Sequence, residues 1–273
     1  MATNPTTKTE ALYQKNAQLH THTSPISSLD TLDSLPAETQ SLFKAPEGAP
    51  FILTTPSTIF HAQGGGQPSD TGTIKSSSSN TTFRVHQVRK VDPAILHMGV
   101  FEPVDARFAI GTPAEQNIDV ASRLLNSRLH TAGHVIGLAA SQLVTEGKLP
   151  ADLVDGKASH YPGAAFVEFH GLIAGDKKAE IQDKVDELVA RDLGVAIHFW
   201  SEERAREECL GAMESFKGGE EGVRVVSIGE GGQCSYPCGG THVQSLRECG
   251  RVVLRNVKRQ KGVSKVSYEV RDA

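Results

Sequence analysis

The chain has 273 residues, 38% of them hydrophobic and 22% charged, which suits a globular protein of one or two domains. A net charge of −4 and a pI near 6.3 exclude a globally basic nucleic-acid binder, so any grip on a polyanion must be local. Four cysteines are too few for a disulfide scaffold, and no apolar run is long enough to cross a bilayer. The first ten residues are polar, without the apolar core of a signal peptide or the arginines of a transit peptide, which points to the cytosol.

Residues 1–112 read mostly as β structure. Short apolar or alternating runs occur at 51–53, 58–60, 83–88 and 95–100, punctuated by Pro, Gly and Ser. Residues 24–50, with four prolines, read as an irregular excursion, and Ser76-Ser77-Ser78-Ser79-Asn80 as a hairpin tip. This spacing predicts a small β-barrel-like domain. Gly111-Thr112-Pro113 marks the expected boundary, with a second domain over 113–273.

Beyond that break, helical periodicity starts near Ile118 and runs to about Val144. A strand at 164–169 follows, then a helix from an Asp176 cap to about 192, with Ala179, Val185, Leu188 and Val189 on its apolar side. Strands at 195–200 and 223–228 flank a helix at 202–209. Two last strands, 251–257 and 263–270, turn at Gln260-Lys261-Gly262. The order argues an α+β sandwich, helices packed on an antiparallel sheet. No internal repeat is visible.

Two short stretches carry the chemistry. His130 and His134 lie four apart on the predicted helix, so both imidazoles leave one face. Cys238 and His242 have the same spacing, but Pro237, Gly239 and Gly240 forbid a regular helix and predict a tight loop. Either pair alone is compatible with a solvated or core face; together, three imidazoles and one thiolate suit Zn²⁺. Thr131 stands where the zinc peptidase pattern HExxH needs its glutamate base, which argues against peptide hydrolysis. Its hydroxyl either bonds back to the preceding helical turn or reaches a molecule bound at the metal. Cys234, four residues before Cys238, is an alternative thiol or a small buried hydrophobe. Gly64-Gly65-Gly66 lacks the following helix and GK[ST] element of a phosphate cradle.

HxxxH followed far downstream by Cys238-Gly239-Gly240-Thr241-His242-Val243 resembles the editing domain of alanyl-tRNA synthetases and the free-standing AlaX proteins. Gly64-Gly65-Gly66-Gln67-Pro68-Ser69-Asp70-Thr71-Gly72 resembles the GGGQPSDTG motif of that family, and Gly262-Val263-Ser264-Lys265-Val266 its closing strand. One departure is His61-Ala62-Gln63, where the family has an aromatic-Pro-acid sequence. The resemblance implies a medium-length AlaX protein acting in trans, a zinc-dependent deacylase that removes serine, or glycine, from mischarged alanine tRNA. It implies catalytic roles for the metal ligands His130, His134, Cys238 and His242, with Thr131 reading the serine hydroxyl. Gly64, Gly65, Gly66, Gln67 and Asp70, with Gly239, Gly240 and Thr241, would border the substrate.

Cations crowd the last two predicted strands, where Arg251, Arg255, Lys258, Arg259, Lys261, Lys265 and Arg271 face the single acid Glu269. Lys258, Arg259, Lys261 and Lys265 are therefore the candidate contacts to tRNA phosphates, although such runs are commonly just solvated faces. The competing readings are an esterase for another aminoacyl ester and a non-catalytic RNA-binding module with structural zinc. No membrane partner is expected, and the sequence leaves monomer and homodimer open.

Overall fold

A computed structural model describes residues 2–76, 80–210, 218–229 and 234–272. Residues 77–79 of the expected hairpin tip lie outside this set. The chain forms two compact units, Met1–Gly64 with Pro68–Arg123, and Gly65–Gln67 with Leu124–Ala273.

The first unit contains β1 (Glu10–Ala11), β2 (Thr21–Pro25), β3 (Ser28–Thr31), α1 (Ala37–Gln40), β4 (Phe51–Thr54), β5 (Ser57–Thr58), β6 (Gly72–Ser76), β7 (Thr82–Val91), β8 (Ala94–Glu102) and β9 (Pro113–Ile118). Seven strands form one antiparallel sheet in the order β2-β9-β6-β7-β8-β4-β3. Its two edge strands, β2 and β3, are neighbours in sequence, which curls the sheet on itself. At the seam the Ile26 N–H bonds to Thr112 O at 3.0 Å and the Ser27 N–H to Thr54 O at 2.8 Å. Inside pack Leu53, Ile59, Phe60, Ile74, Phe83, Val85 and Ile95, so the alternation read from the sequence is the barrel-like core.

The break at Gly111-Thr112-Pro113 falls inside this unit. Residues 113–118, between the break and the helix, form β9, held between β2 and β6, and the division between units comes at Arg123 and Leu124 rather than at 112 and 113. Proline opens β9 at its first position, where a missing N–H is tolerated. The 24–50 stretch also holds more order than its prolines suggest, since β3 and the short α1 lie within it.

Asp70 of the Gly-rich motif is buried here. Its carboxylate accepts from the His61 N–H at 2.7 Å and from Arg123 Nε at 3.0 and 3.1 Å, and Arg123 Nη2 closes on it as well. Arg123 also donates to Ala17 O at 2.7 Å and to Ile59 O at 2.6 Å. A buried charge pair with every arm occupied ties the turn after the glycines to the barrel.

Next comes α2 (Val120–Thr145), capped by Asp119, whose Oδ1 accepts from the Ser122 N–H at 3.0 Å. The second unit continues with β10 (Val154–Ser159), β11 (Phe166–His170), α3 (Lys178–Ala190), β12 (Val195–Trp200), α4 (Glu202–Glu208), β13 (Val223–Ile228), β14 (Cys234–Pro237), β15 (Arg251–Gln260) and β16 (Val263–Arg271). Two antiparallel sheets result, β10-β11-β16-β15 and β12-β13-β14. Ile181, Val185 and Leu188 of α3 are fully buried, each stabilising by about 1.5–3 kcal/mol. They join Val135, Ala139 and Leu143 of α2 and Val252, Leu254 and Val266 of the sheet in one core. The fold is thus α+β, helices on antiparallel sheet. A 3-10 turn at Gly175–Lys177 precedes α3, so Asp176 is not its cap. Among the described residues, no helix is long and apolar enough to cross a membrane.

Candidate metal centre

The helical spacing and the glycine loop converge as expected. One side-chain ligand atom from each of His130, His134, Cys238 and His242 lies within 4.8 Å of the others. Cys238 Sγ is 3.3 Å from both His130 Nε2 and His242 Nε2. Four tetrahedral N and S ligands around one zinc ion would stand about 3.3–3.8 Å apart, so the cluster is close to the size of a single ion. Cys238 is brought in by β14, which pairs with β13; Cys234 is buried at the other end of β14 and is not in the group.

Two of the four residues, His130 and His242, are oriented by neighbours. Gln67 Oε1 accepts the Thr241 N–H at 3.0 Å, which fixes which way its amide faces, and it lies 2.7 Å from His130 Nδ1. His130 Nδ1 must then carry the proton, leaving the Nε2 lone pair aimed at Cys238. The other end of Gln67 donates to Thr241 Oγ1 at 2.8 Å, and Thr241 Oγ1 lies 2.7 Å from Ser127 Oγ. Gly240 allows this approach, because a Cβ there would collide with the His130 ring. Gln67 and Thr241 are both fully buried. These two side chains, expected to border substrate, are bonded to each other, and Gln67 to the His130 ring as well.

Thr131 does the same for His242. Its hydroxyl lies 3.0 Å from His242 Nδ1 and accepts the Val243 N–H at 3.2 Å, with no exposed surface. Its oxygen thus faces the loop that carries His242. Asp70 likewise sits in the first unit with its oxygens taken by Arg123 and His61. Gly65 lies 3.8 Å, measured from an added Cβ, from the His130 ring, and Gly66 O accepts the His160 N–H at 2.8 Å. Gly239 is half-buried in the ligand loop and Gly64 is exposed. Lys258, Lys261 and Lys265 line an open basin on the β11-β16-β15 sheet, and Arg259 does not.

Three further groups border the cluster. His160 stacks on His130 with ring centres 4.1 Å apart and planes 20° apart. Its Nδ1 lies 2.6 Å from the Tyr268 hydroxyl, which donates to Leu129 O at 3.0 Å, so His160 is the donor to Tyr268. Gly133 on α2 leaves the space, since a Cβ would meet the His160 ring. Arg224 of β13, nearly buried, donates to Cys238 O. Tyr236 lies against His134 at 4.8 Å and donates to Asp155 at 2.8 Å. None was legible in sequence: His160 sits in a polar loop, and Arg224 interrupts an apolar strand like any solvated arginine.

The electrostatics suit a cation. Burial, and then the charges of His160 and Arg224, lower the His134 pKa to about 3, and burial lowers His160 to about 3, so both are neutral at physiological pH. Burial raises the Cys238 thiol, with Arg224 and the Gly240 N–H pulling the other way. His134 Nδ1 is buried with no hydrogen-bond partner, and coordination through that nitrogen would remove a deficit of about 1–3 kcal/mol. The four residues could therefore hold a metal ion.

Residues 223–267 match the family described as the threonyl and alanyl tRNA synthetase second additional domain. Over 218 residues the chain is 32% identical to an alanine–tRNA ligase of Parafrankia sp., covering 78% of this chain and 23% of that one. It is 27% identical over 212 residues to the alanyl-tRNA editing protein AlaX-L of Pyrococcus horikoshii, covering 77% of this chain and 49% of the relative. The chain is thus similar both to alanine–tRNA ligases and to an alanyl-tRNA editing protein. An alanine–tRNA ligase of Methanobrevibacter smithii is 29% identical over 221 residues, again with 23% of its length covered. The chain thus spans about a quarter to a half of the length of these curated relatives, and the family match takes in Cys238 and His242.

Proposed function

We propose that this protein is a trans-acting aminoacyl-tRNA deacylase that hydrolyses the ester of serine, and secondarily glycine, mischarged onto alanine tRNA. The observation that carries the reading is the four-residue cluster with its ligands already oriented by Gln67 from the Gly-rich motif and Thr131 from the helix. A pocket built around alanine's methyl group cannot strongly reject a side chain that only adds a hydroxyl, so a second hydrolytic site has a physical purpose.

His130, His134, Cys238 and His242 would hold Zn²⁺, whose softness matches three imidazoles and a thiolate. Zinc bound there would supply a Lewis acid for the ester carbonyl or an anchor for the substrate's α-amino group. The chain's own residues fix the rest. Gln67 keeps the proton on His130 Nδ1, and Arg224 opposes the burial that raises the Cys238 thiol. His160, stacked on His130, stops that ring from turning. Gly65, Gly66 and Gly239 would present bare backbone to the terminal nucleoside, and Lys258, Lys261 and Lys265 would meet phosphates. Cytosolic tRNA is the partner.

The test is a panel of alanine tRNAs charged with serine, glycine or alanine, scored for free amino acid. The reading expects release from the seryl and glycyl esters and sparing of the alanyl ester. Release from none of the three would remove it.

A further inference from the structure

The four-stranded sheet has two unlike faces. Along β16, Ser264, Val266 and Tyr268 are buried toward the helices, while Val263, Lys265 and Ser267 point the other way. Along β11, Val167 and Phe169 are buried while Phe166 and Glu168 join the outer face. That outer face holds an open basin of about 950 Å³, with Phe166 in its lining and Arg255, Lys258, Lys261 and Lys265 around it.

Its charges are not balanced internally. Lys258 and Lys265 are direct cross-strand partners, so their side chains share this face. Like charges opposite one another destabilise a sheet, and a sequence under no other demand would place an acid there. Arg255 is answered by Glu269 at 3.4 Å. Among the described residues, no carboxylate lies within ion-pairing distance of Lys258, Lys261 or Lys265, although Glu168 is the cross-strand partner of Lys265. The Lys265 ammonium instead rests 3.3 Å over the Phe166 ring. An aromatic face covered by a flexible cation can exchange that cover for a flat base, freeing the cation for a phosphate.

Duplex RNA offers no unstacked base to such a ring; single-stranded RNA does. The basin is also continuous in the chain with the cluster. His160 stacks on His130, and only a few residues later Gly163, Ala164 and Ala165 line the basin.

From this we infer that the outer face of the β10-β11-β16-β15 sheet is a binding site for single-stranded RNA, with one base stacked on Phe166 and flanking phosphates held by Lys258, Lys261 and Lys265. This deepens the tRNA reading and rests on it for the identity of the strand. It corrects the expected strip as well: Arg259 pairs with Ser264, which faces the core side, and so lies off this surface.

The experiment uses the full chain and two labelled probes of equal length, a single-stranded RNA and a duplex RNA, titrated at several salt concentrations. Single strand should bind more tightly than duplex. Phe166→Ala should weaken it about tenfold, the scale of one lost base–aromatic stack. Phe166→Leu, which keeps the apolar bulk, should weaken it similarly, and Phe166→Tyr should restore it. Lys258→Gln and Lys265→Gln should each flatten the log–log salt slope by about 0.7. Equal binding of both probes, or Phe166→Leu binding like wild type, would overturn the proposal. So would a concentration-dependent dimer abolished by Lys258→Glu, which would assign the face to a second copy of the chain. Should no mischarged tRNA be hydrolysed while these binding effects hold, the deacylase reading fails and the RNA site stands.

Discussion

Replacing Thr131 by valine separates two jobs for one hydroxyl. The change is nearly isosteric and removes a single oxygen from a site with no exposed surface. That oxygen accepts the Val243 N–H at 3.2 Å and shares a hydrogen bond with the His242 ring at 3.0 Å. Neither can reach water after the substitution, and a buried polar group left unsatisfied costs about 1–3 kcal/mol. The loss of stability should thus be about 2–4 kcal/mol, allowing for partial relaxation. His242 would also lose the bond that holds its Nε2 toward Cys238, and removal of such a support weakens metal affinity by about 10–100-fold. The assay compares kcat/KM on seryl, glycyl and alanyl esters of the same tRNA, with metal content measured on the same samples. Because the hydroxyl acts on a ligand, the fractional loss should be the same for seryl and glycyl esters and should track lost metal. A loss confined to the seryl ester, with metal intact, would refute this and return Thr131 to the role of serine reader.

Asp70→Asn should destabilise the first unit by about 3–5 kcal/mol by leaving the buried Arg123 charge uncompensated, readable as a lower midpoint in urea. His97 is buried in the same unit, donates to Leu53 O at 3.0 Å, and has its pKa lowered by burial from 6.5 to about 4. The unfolded chain takes up this proton near pH 6.5 and the folded chain only near 4, so acid favours unfolding. Its contribution is fully present above 6.5 and falls by about 3 kcal/mol by pH 4. His97→Gln should flatten the stability–pH curve across that window, and an unchanged slope would show that the histidine is not held neutral.

Much of the site was legible because its signals are local. Two histidines one helical turn apart, and a cysteine and histidine bracketing two glycines, announce themselves without tertiary knowledge. The strands β12 and β13 fall where their apolar runs predicted, at Val195–Trp200 and Val223–Ile228. What escaped was set by contacts distant in sequence. Thr131 finds its partners 111 and 112 residues away, and Gln67 reaches Thr241 across 174. The strand β10, Val-Asp-Gly-Lys-Ala-Ser, is an exposed edge with no alternation to read, and only pairing with β11 makes it regular. The basic strip was visible as charge, but which of its members share a face was decided by the bulge between Leu254 and Asn256, which no pattern in the sequence marked.

The central claim is that the His130, His134, Cys238 and His242 cluster is a metal centre on which ester hydrolysis depends. The direct measurement is deacylation of seryl-charged alanine tRNA by protein stripped with a chelator and shown by circular dichroism to remain folded, before and after adding Zn²⁺. The account predicts no release above the uncatalysed rate from the stripped protein, with activity restored at one zinc per chain. Full activity from a folded, metal-free sample would contradict it.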